Sequence, residues 1–285
     1  MSEPGAPPGG VFGGFVPFDE RGAEAFFGRN DEVALLDRLL AGEAHIVALT
    51  APSGVGKTSL LRAGLTPALA RRGVAVVTIG GYRDLERELV RATSRLGIAP
   101  PVPGQDPADY LGGVAREAKG GLCLILDHLE EALGVGSEGA ADVMALATQV
   151  IDEGGPSLRL VLSIDEAVFA RLEPLRTALR AKVGGRATTT LPPFKEAQVA
   201  DILERSAVQS GTPFEKGLAA AVAADLCHDG LCRAIDLQLV VRAITDLRLG
   251  SVRRYRRSGG AGVLPAVWLD RVCADCGGAR ARRAL

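Results

Sequence analysis

The stretch that decides the fold is His45–Leu65, HIVALTAPSGVGKTSLLRAGL. Its apolar start, Ile46–Thr50, has the length and composition of a buried β-strand. A loop of small, turn-prone residues follows, and its glycines can adopt positive φ angles at no steric cost. Lys57 and Thr58 then open an amphipathic helix. This order of strand, loop and helix is typical of a loop that wraps a polyphosphate with backbone N–H groups at the positive end of a helix dipole.

The residue types in this loop fit the binding of a nucleotide. A lysine at position 57 would reach the β- and γ-phosphates, and the hydroxyl of Thr58 would ligate Mg²⁺. The pattern departs from its strict form only at Ala51, where a glycine is usual. A glycine-rich turn before a helix is the simpler interpretation, but the flanking strand and helix favour a nucleotide site. The predicted loop comprises Ala51, Pro52, Ser53, Gly54, Val55 and Gly56.

The composition of the 285-residue chain limits the class of protein. Hydrophobic residues make up 47% and aromatic residues only 4%, so we expect a core of Ala, Val and Leu. The formal net charge of −1 argues against a protein that mainly coats nucleic acid. The beginning MSEPGAPPGG lacks the charged and apolar regions of a signal peptide, and no apolar run reaches the roughly 18 residues of a membrane span. We therefore expect a cytosolic protein.

The chain divides into three regions by pattern. Residues 1–14 are rich in Pro and Gly, which predicts a disordered leader. Residues 15–194 alternate strands with helices, which predicts an α/β core with a doubly wound parallel sheet. Residues 195–285 show helical periodicity without further strands of comparable quality, which predicts a helical subdomain with a basic tail. The later predicted strands are 74–79, 122–126, 158–164 and 188–191, and the later predicted core helices are 60–71, 83–96, 107–119, 140–153 and 167–182.

An acidic residue ends the second fully apolar strand, in LCLILDHLEEAL. Ligands of doubly wound sheets bind at the carboxyl ends of the strands, where both Ala51 and Asp127 are expected. A carboxylate at that position can hold Mg²⁺ through its water shell. Hydrolysis also needs a group that orients the attacking water, and Glu130 or Glu131 is available just beyond. A solvated start of a helix is the simpler interpretation of this pair of glutamates.

A short segment, Phe27-Gly28-Arg29, precedes the first predicted helix, which Asn30 or Asp31 can cap. The segment has two interpretations of similar weight. It can be a turn with a hydrophobic staple. It can also fold over the adenine end of a bound nucleotide.

The chain contains, in this order, the four segments FVPFDERGAEAFFGRNDEV, APSGVGKTSLLRAGLTPAL, LILDHLEEAL and LVLSIDEAVFARLEPL. Together they resemble the STAND branch of AAA+-related P-loop ATPases, in particular the bacterial group whose ATPase begins with a Phe-Phe-Gly-Arg segment. The resemblance covers about residues 15–195. STAND proteins are signal-transducing switches in which ADP holds a closed state and ATP permits oligomerisation and activation of an effector. The resemblance thus implies a P-loop NTPase fold, ATP or ADP with Mg²⁺, and a partner effector or self-association.

The resemblance also assigns roles to residues. Gly28 and Arg29 would lie near the base, Asp127 would bind Mg²⁺, and Glu130 or Glu131 would be the catalytic carboxylate. The residues implied around the phosphates are Gly54, Gly56, Lys57, Thr58 and Ser59.

Two positions depart from the family pattern. Asp165 stands where the family usually has an arginine that senses the γ-phosphate, and His128 stands where the family often has Gln. A carboxylate about 6 Å from a phosphate charge costs about 3 kcal/mol at an effective dielectric constant of about 20. ATP is therefore disfavoured unless Asp165 turns away or shares a metal. Both departures predict slow hydrolysis, and an inactive pseudo-ATPase scaffold is the alternative.

Two further clusters suggest other functions. Arg253, Arg254, Arg256 and Arg257 flank Tyr255, and such a cluster can grip phosphates, stack on bases as in a DNA-associated AAA+ ATPase, or reach the nucleotide of a neighbouring subunit. A solvated helix end is the simpler interpretation. Four thiols could hold a structural Zn²⁺, although ordinary half-buried cysteines explain them better. These thiols belong to Cys227, Cys232, Cys273 and Cys276.

Overall fold

The computed structural model describes residues 16–42, 45–133, 140–153, 157–183, 188–209, 211 and 214–275. The predicted leader at 1–14, Cys276 and the last arginines lie outside these ranges. Within them, no helix is both long enough and apolar enough to cross a membrane.

Five parallel strands form the central sheet in the order β2-β3-β4-β1-β5. Every residue of β1 and β3 is buried, because helices cover both faces of the sheet. The sequence prediction of a doubly wound parallel sheet is thus confirmed. The strands are β1 (Ile46–Ala51), β2 (Ala75–Ile79), β3 (Leu122–Leu126), β4 (Leu158–Asp165) and β5 (Thr188–Thr190).

Helices pack on the two faces through alternate residues of the strands. Ala48, Leu124 and Leu162 point to a cluster with α4, α5, α7 and α9, while Val47 and Ile125 point to a cluster with α1 and the helix after the phosphate loop. That helix runs without a break through α2, a π-helical segment and α3. The core helices are α1 (Asn30–Ala41), α2 (Lys57–Ser59), α3 (Thr66–Arg71), α4 (Leu85–Ser94), α5 (Pro107–Glu117), α6 (Leu129–Ala132), α7 (Ala140–Glu153), α8 (Glu166–Phe169) and α9 (Glu173–Val183); the π-helical segment is Leu60–Leu65 and a 3-10 helix covers Glu20–Ala25.

Two local predictions are wrong. Helix α1 begins at Asn30, with Arg29 in the capping position and no side-chain cap, so neither Asn30 nor Asp31 caps it. The helix predicted over 167–182 is two helices, α8 and α9. Pro174 explains the break, because in a continuous helix its missing N–H could not bond the carbonyl of Ala170 and its ring would clash with that carbonyl, whereas proline is tolerated in the first turn of α9.

The chain after the sheet packs mainly around a separate buried cluster. Its residues include Phe194, Leu203, Val222 and Tyr255, and Phe27 packs against it from the N-terminal side. A two-stranded antiparallel ladder also lies here, which the sequence pattern misses because each strand has only two residues. The elements are β6 (Phe194–Lys195), α10 (Glu196–Gln209), α11 (Leu218–Leu226), β7 (Leu231–Cys232), α12 (Ala234–Asp246), α13 (Val252–Arg257) and α14 (Leu264–Asp275). The division of the chain at 194 and 195 into two domains stays a prediction.

Candidate nucleotide-binding site

The loop between β1 and α2 has the backbone geometry that its glycines predict. Gly54 has φ +80° and Gly56 has φ +104°, which is the left-handed region that favours glycine. An added Cβ at Gly54 would lie 2.8 Å from Cγ2 of Ile235, and one at Gly56 would lie 3.3 Å from Cβ of Ala234. Both glycines are therefore needed for the turn and for the close approach of α12.

Lys57 and Thr58 begin the helix directly after this loop, and both are buried. The Lys57 ammonium donates a hydrogen bond to the carbonyl oxygen of Ala51 at 2.8 Å and to that of Pro52 at 3.5 Å. Its positive charge therefore lies against two carbonyl oxygens at the start of the loop. The Thr58 hydroxyl lies 2.9 Å from Nε2 of His128.

Asp127 follows the last residue of β3 and is 1% exposed. Its Oδ1 accepts a hydrogen bond from the backbone N–H of His128 at 3.1 Å. Its Oδ2 is buried and has no hydrogen-bond partner among the residues that the structure describes. A buried carboxylate oxygen without a partner is costly unless a cation compensates it. A hard cation such as Mg²⁺, which prefers oxygen ligands, fits this donor together with the Thr58 hydroxyl.

The two glutamates in LEEA differ in their surroundings. Glu130 lines the cavity above the phosphate loop, whereas Glu131 is exposed. Glu130 accepts a hydrogen bond from the backbone N–H of Asp165 at 2.9 Å and lies 3.7 Å from Nδ1 of His128. Burial raises the pKa of Glu130, but hydrogen bonding to His128 and to the backbone outweighs burial and lowers it. The Glu130 carboxylate in turn raises the pKa of His128 against the opposing effect of burial.

Asp165 turns away from the site. Its carboxylate accepts a hydrogen bond from the backbone N–H of Ala167 at 2.9 Å and so caps α8. Asp165 is not among the residues that line the cavity. The electrostatic penalty expected against the terminal phosphate of ATP is reduced by this orientation.

The cavity continues from the phosphate loop into an apolar compartment and has a volume of about 180 Å³. A mostly apolar wall with a few polar groups at one end is typical of a site for a small molecule. Ser53 and Ser59 also line the cavity, and the Ser59 hydroxyl accepts a hydrogen bond from the backbone N–H of Phe18 at 3.2 Å. The apolar wall includes Phe18, Phe26, Phe27, Phe194, Ile202 and Leu237.

Arg29 joins this compartment to the phosphate loop and is 2% exposed. Its guanidinium donates to the Val55 carbonyl at 3.3 Å, pairs with Glu32 at 2.8 Å and stacks 3.8 Å from the ring centre of Phe194. Burial lowers the pKa of Arg29, and Glu32 opposes this effect. The side chain therefore connects three segments.

The neighbouring Gly28 does not line the cavity, but it allows the chain to pass close to α10. It has φ +81°, and an added Cβ would lie 2.5 Å from Cδ1 of Ile202. Of the pair Gly28 and Arg29, which the sequence places near the base, only Arg29 contributes to the cavity wall.

Helix α12 provides the part of the site that the sequence analysis misses. The backbone N–H of Ile235 donates a hydrogen bond to the Gly54 carbonyl at 3.0 Å, and Ala234 and Gln238 also line the cavity. No spacing or motif indicates this contact, because it joins positions far apart in the chain. Phe194 and Ile202 are missed for the same reason.

The structure also describes parts of the two other clusters from the sequence analysis, the arginines around Tyr255 and the cysteines. Tyr255 is fully buried, so it cannot stack on a nucleic-acid base, although the four arginines around it are exposed. Burial raises the pKa of Cys232 to about 12. The side chain of Cys273 and all of Cys276 lie outside the described part of the chain. Within that part, no group of three or more His, Cys, Asp or Glu residues could hold a metal ion.

A phosphate loop after the first strand, an acid after a neighbouring buried strand and a five-stranded parallel sheet define the class of P-loop NTPases. The sequence model of the family described as Novel STAND NTPase 1 matches residues 12–250. The chain belongs to this family, and the resemblance predicted from the four sequence segments is confirmed. A search of curated proteins found no match.

Solved structures with the same fold include a Walker-type ATPase of Pyrococcus abyssi, with a TM-score of 0.64, 18% identity, and coverage of 93% of this chain and 76% of that one. The ORC2 protein of Aeropyrum pernix, solved with ADPNP and ADP, gives a TM-score of 0.65 at 17% identity, and the match covers 91% of this chain and 70% of that one. The ORC1 protein of Aeropyrum pernix, solved in complex with DNA, gives a TM-score of 0.53 at 20% identity, and the match covers 79% of this chain and 61% of that one. At these identities the likeness shows the fold alone.

Proposed function

We propose that the chain binds ATP and ADP with Mg²⁺ and acts as a nucleotide-dependent switch that hydrolyses ATP slowly or only after self-association. The observation that carries this proposal is the cavity, in which a phosphate loop with a buried lysine opens into an apolar compartment. The ORC2 structure with ADPNP and ADP shows that a protein of this fold accepts such ligands. Family membership supports the signalling role and an effector partner.

In this proposal each residue has a chemical task. Lys57 and the backbone N–H groups of the loop bind the phosphates, and Arg29 borders the base compartment. Mg²⁺, held by Thr58 and Asp127, would neutralise the charge that develops on the phosphates. Glu130 orients the attacking water, since it faces the cavity whereas Glu131 faces solvent.

The contact between α12 and the phosphate loop supports the switch. The Ile235–Gly54 hydrogen bond and the packing of Ala234 against Gly56 join the helical part of the chain to the phosphate site. A phosphate that changes the position of the loop therefore changes the contact with α12. A ligand shifts an equilibrium between two conformations of a protein only when its affinity for the two conformations differs. In this proposal the difference arises at the contact between the phosphate loop and α12.

Phosphate release at several protein concentrations tests the enzymatic part of the proposal. We expect low turnover per molecule that rises with protein concentration. Glu130→Gln should lower turnover by about 100-fold or more because it removes the base that orients water, while ATP binding persists. Glu131→Gln should keep the parent rate. No release at any concentration would identify a pseudo-ATPase, and a loss confined to Glu131→Gln would reverse the assignment.

A second candidate function is association with DNA, and the surface of α13 favours it. At about 100° per residue, its four arginines fall on one solvent-facing arc opposite the buried Tyr255. Residues 247–262 contain five arginines and no acidic residue. The ORC1 structure was solved in complex with DNA. Such a surface would contact backbone phosphates without reading sequence.

Salt-dependent binding to duplex DNA tests this candidate. Replacing the four arginines of α13 by Gln should weaken binding and lower the slope of log affinity against log salt by about 3 to 4. A matched control replaces Arg83, Arg87, Arg91 and Arg95, which are also exposed but belong to a segment that contains Asp84, Glu86 and Glu88. Equal losses in the two variants, or no binding by the parent at low salt, would exclude the α13 surface as a DNA site.

A further inference from the structure

His128 has an unusual backbone conformation directly after Asp127. Its φ is +56° and its ψ is +43°, which is the left-handed region that a residue with a Cβ rarely adopts. With this backbone, the side chain reaches Thr58 at the start of α2. The imidazole Nε2 lies 2.9 Å from the Thr58 hydroxyl.

The ring lies between the two groups proposed to hold the divalent cation. The same Nε2 is 3.8 Å from Oδ2 of Asp127, the buried oxygen without a hydrogen-bond partner among the described residues. In an octahedral site with ligand distances of about 2.1 Å, adjacent ligands are about 3.0 Å apart. Nε2 and the Thr58 oxygen are hydrogen-bonded to each other, and their separation of 2.9 Å is also compatible with two adjacent ligands of one ion.

An imidazole nitrogen changes which ion such a site prefers. Mg²⁺ selects oxygen ligands, whereas first-row transition-metal ions also accept imidazole, Mn²⁺ less strongly than the later ions of the row. A glutamine at position 128 would offer an amide oxygen instead. His128 therefore places a softer donor next to the phosphate loop than an oxygen ligand would be.

We propose that His128 supplies a nitrogen ligand to the divalent cation of the nucleotide site and shifts its preference from Mg²⁺ towards transition-metal ions such as Mn²⁺. This inference rests on the proposed nucleotide function and deepens it. Because the ion joins the protein to the phosphates, the preference appears in the affinity for the nucleotide.

The test compares the ADP affinity of the parent and of His128→Gln, measured by calorimetric titration with Mg²⁺ and with Mn²⁺ at about pH 8, above the ordinary imidazole pKa of about 6.5. We expect Mn²⁺ to improve ADP affinity over Mg²⁺ more in the parent than in the variant. His228→Gln is the matched control, since His228 is exposed and its Nδ1 lies 3.1 Å from the carbonyl oxygen of Leu226. This control should keep the parent ratio.

Pulsed electron paramagnetic resonance of the Mn²⁺–ADP complex provides an independent readout. We expect a coupling to a directly bound imidazole nitrogen in the parent and in His228→Gln, and its loss in His128→Gln. An equal Mn²⁺ to Mg²⁺ ratio in parent and His128→Gln, with no nitrogen coupling, would overturn the inference while leaving nucleotide binding intact. Failure of the parent to bind ADP with either ion would overturn the proposed function as well.

Discussion

Replacing Lys57 by Ala is expected to lower the affinity for ADP and ATP by about 100-fold or more. The Lys57 ammonium is buried against the carbonyl oxygens of Ala51 and Pro52, inside the loop that is proposed to wrap the phosphates. Charge-assisted hydrogen bonds to phosphate contribute about 1.5 to 3 kcal/mol each, and Ala removes all of them. Equilibrium titration of each nucleotide into the purified variant measures the loss.

A control separates this effect from unfolding. Lys216→Ala removes an exposed lysine that does not line the cavity, and this variant should bind nucleotide as the parent does. Thermal unfolding of both variants without nucleotide checks that the fold is retained. If Lys57→Ala binds ATP as tightly as the parent, the assignment of the phosphate site is wrong.

Replacing Arg29 by Ala is expected to have the largest effect on stability, a loss of about 2 to 4 kcal/mol in the free energy of unfolding. The variant leaves Glu32 and the Val55 carbonyl without the guanidinium and removes its stacking on Phe194. Arg29→Lys should lose part of this free energy, because a lysine keeps the charge but not the planar, multidentate geometry. Urea unfolding measures the change.

The matched control for Arg29 lies on α1, the helix that Arg29 directly precedes. Arg38 is exposed on α1, and Arg38→Ala should change stability by less than about 0.5 kcal/mol. A loss in Arg29→Ala no larger than in Arg38→Ala would mean that the contacts of Arg29 do not join the segment before α1 to the phosphate loop and β6.

The phosphate loop and the sheet could be predicted because local physics determines them. Gly54 and Gly56 indicate a turn with positive φ angles, and the apolar run Leu122–Leu126 has the length and composition of a strand covered on both faces. The position of Asp127 next to the phosphate loop follows from that strand, since parallel strands present their carboxyl ends at one edge of the sheet. These features depend on a few neighbouring residues.

Features that depend on distant contacts could not be predicted. The Ile235–Gly54 hydrogen bond and the packing of Phe194 on Arg29 join segments with no common motif. The burial of Tyr255 among four arginines is likewise set by the helices around it, although arginines on both sides of a residue are typical of a solvated helix. The orientation of Asp165 depends on the start of α8, which Pro174 separates from α9.

The most direct test of the central claim is a calorimetric titration of ADP with Mg²⁺ into the protein after removal of any bound nucleotide. Binding of one ADP per chain that is saturable, and that Lys57→Ala lacks, is the predicted result. No heat and no saturation with ADP or ATP, under conditions in which the protein is folded, would contradict the claim that this cavity is a nucleotide site.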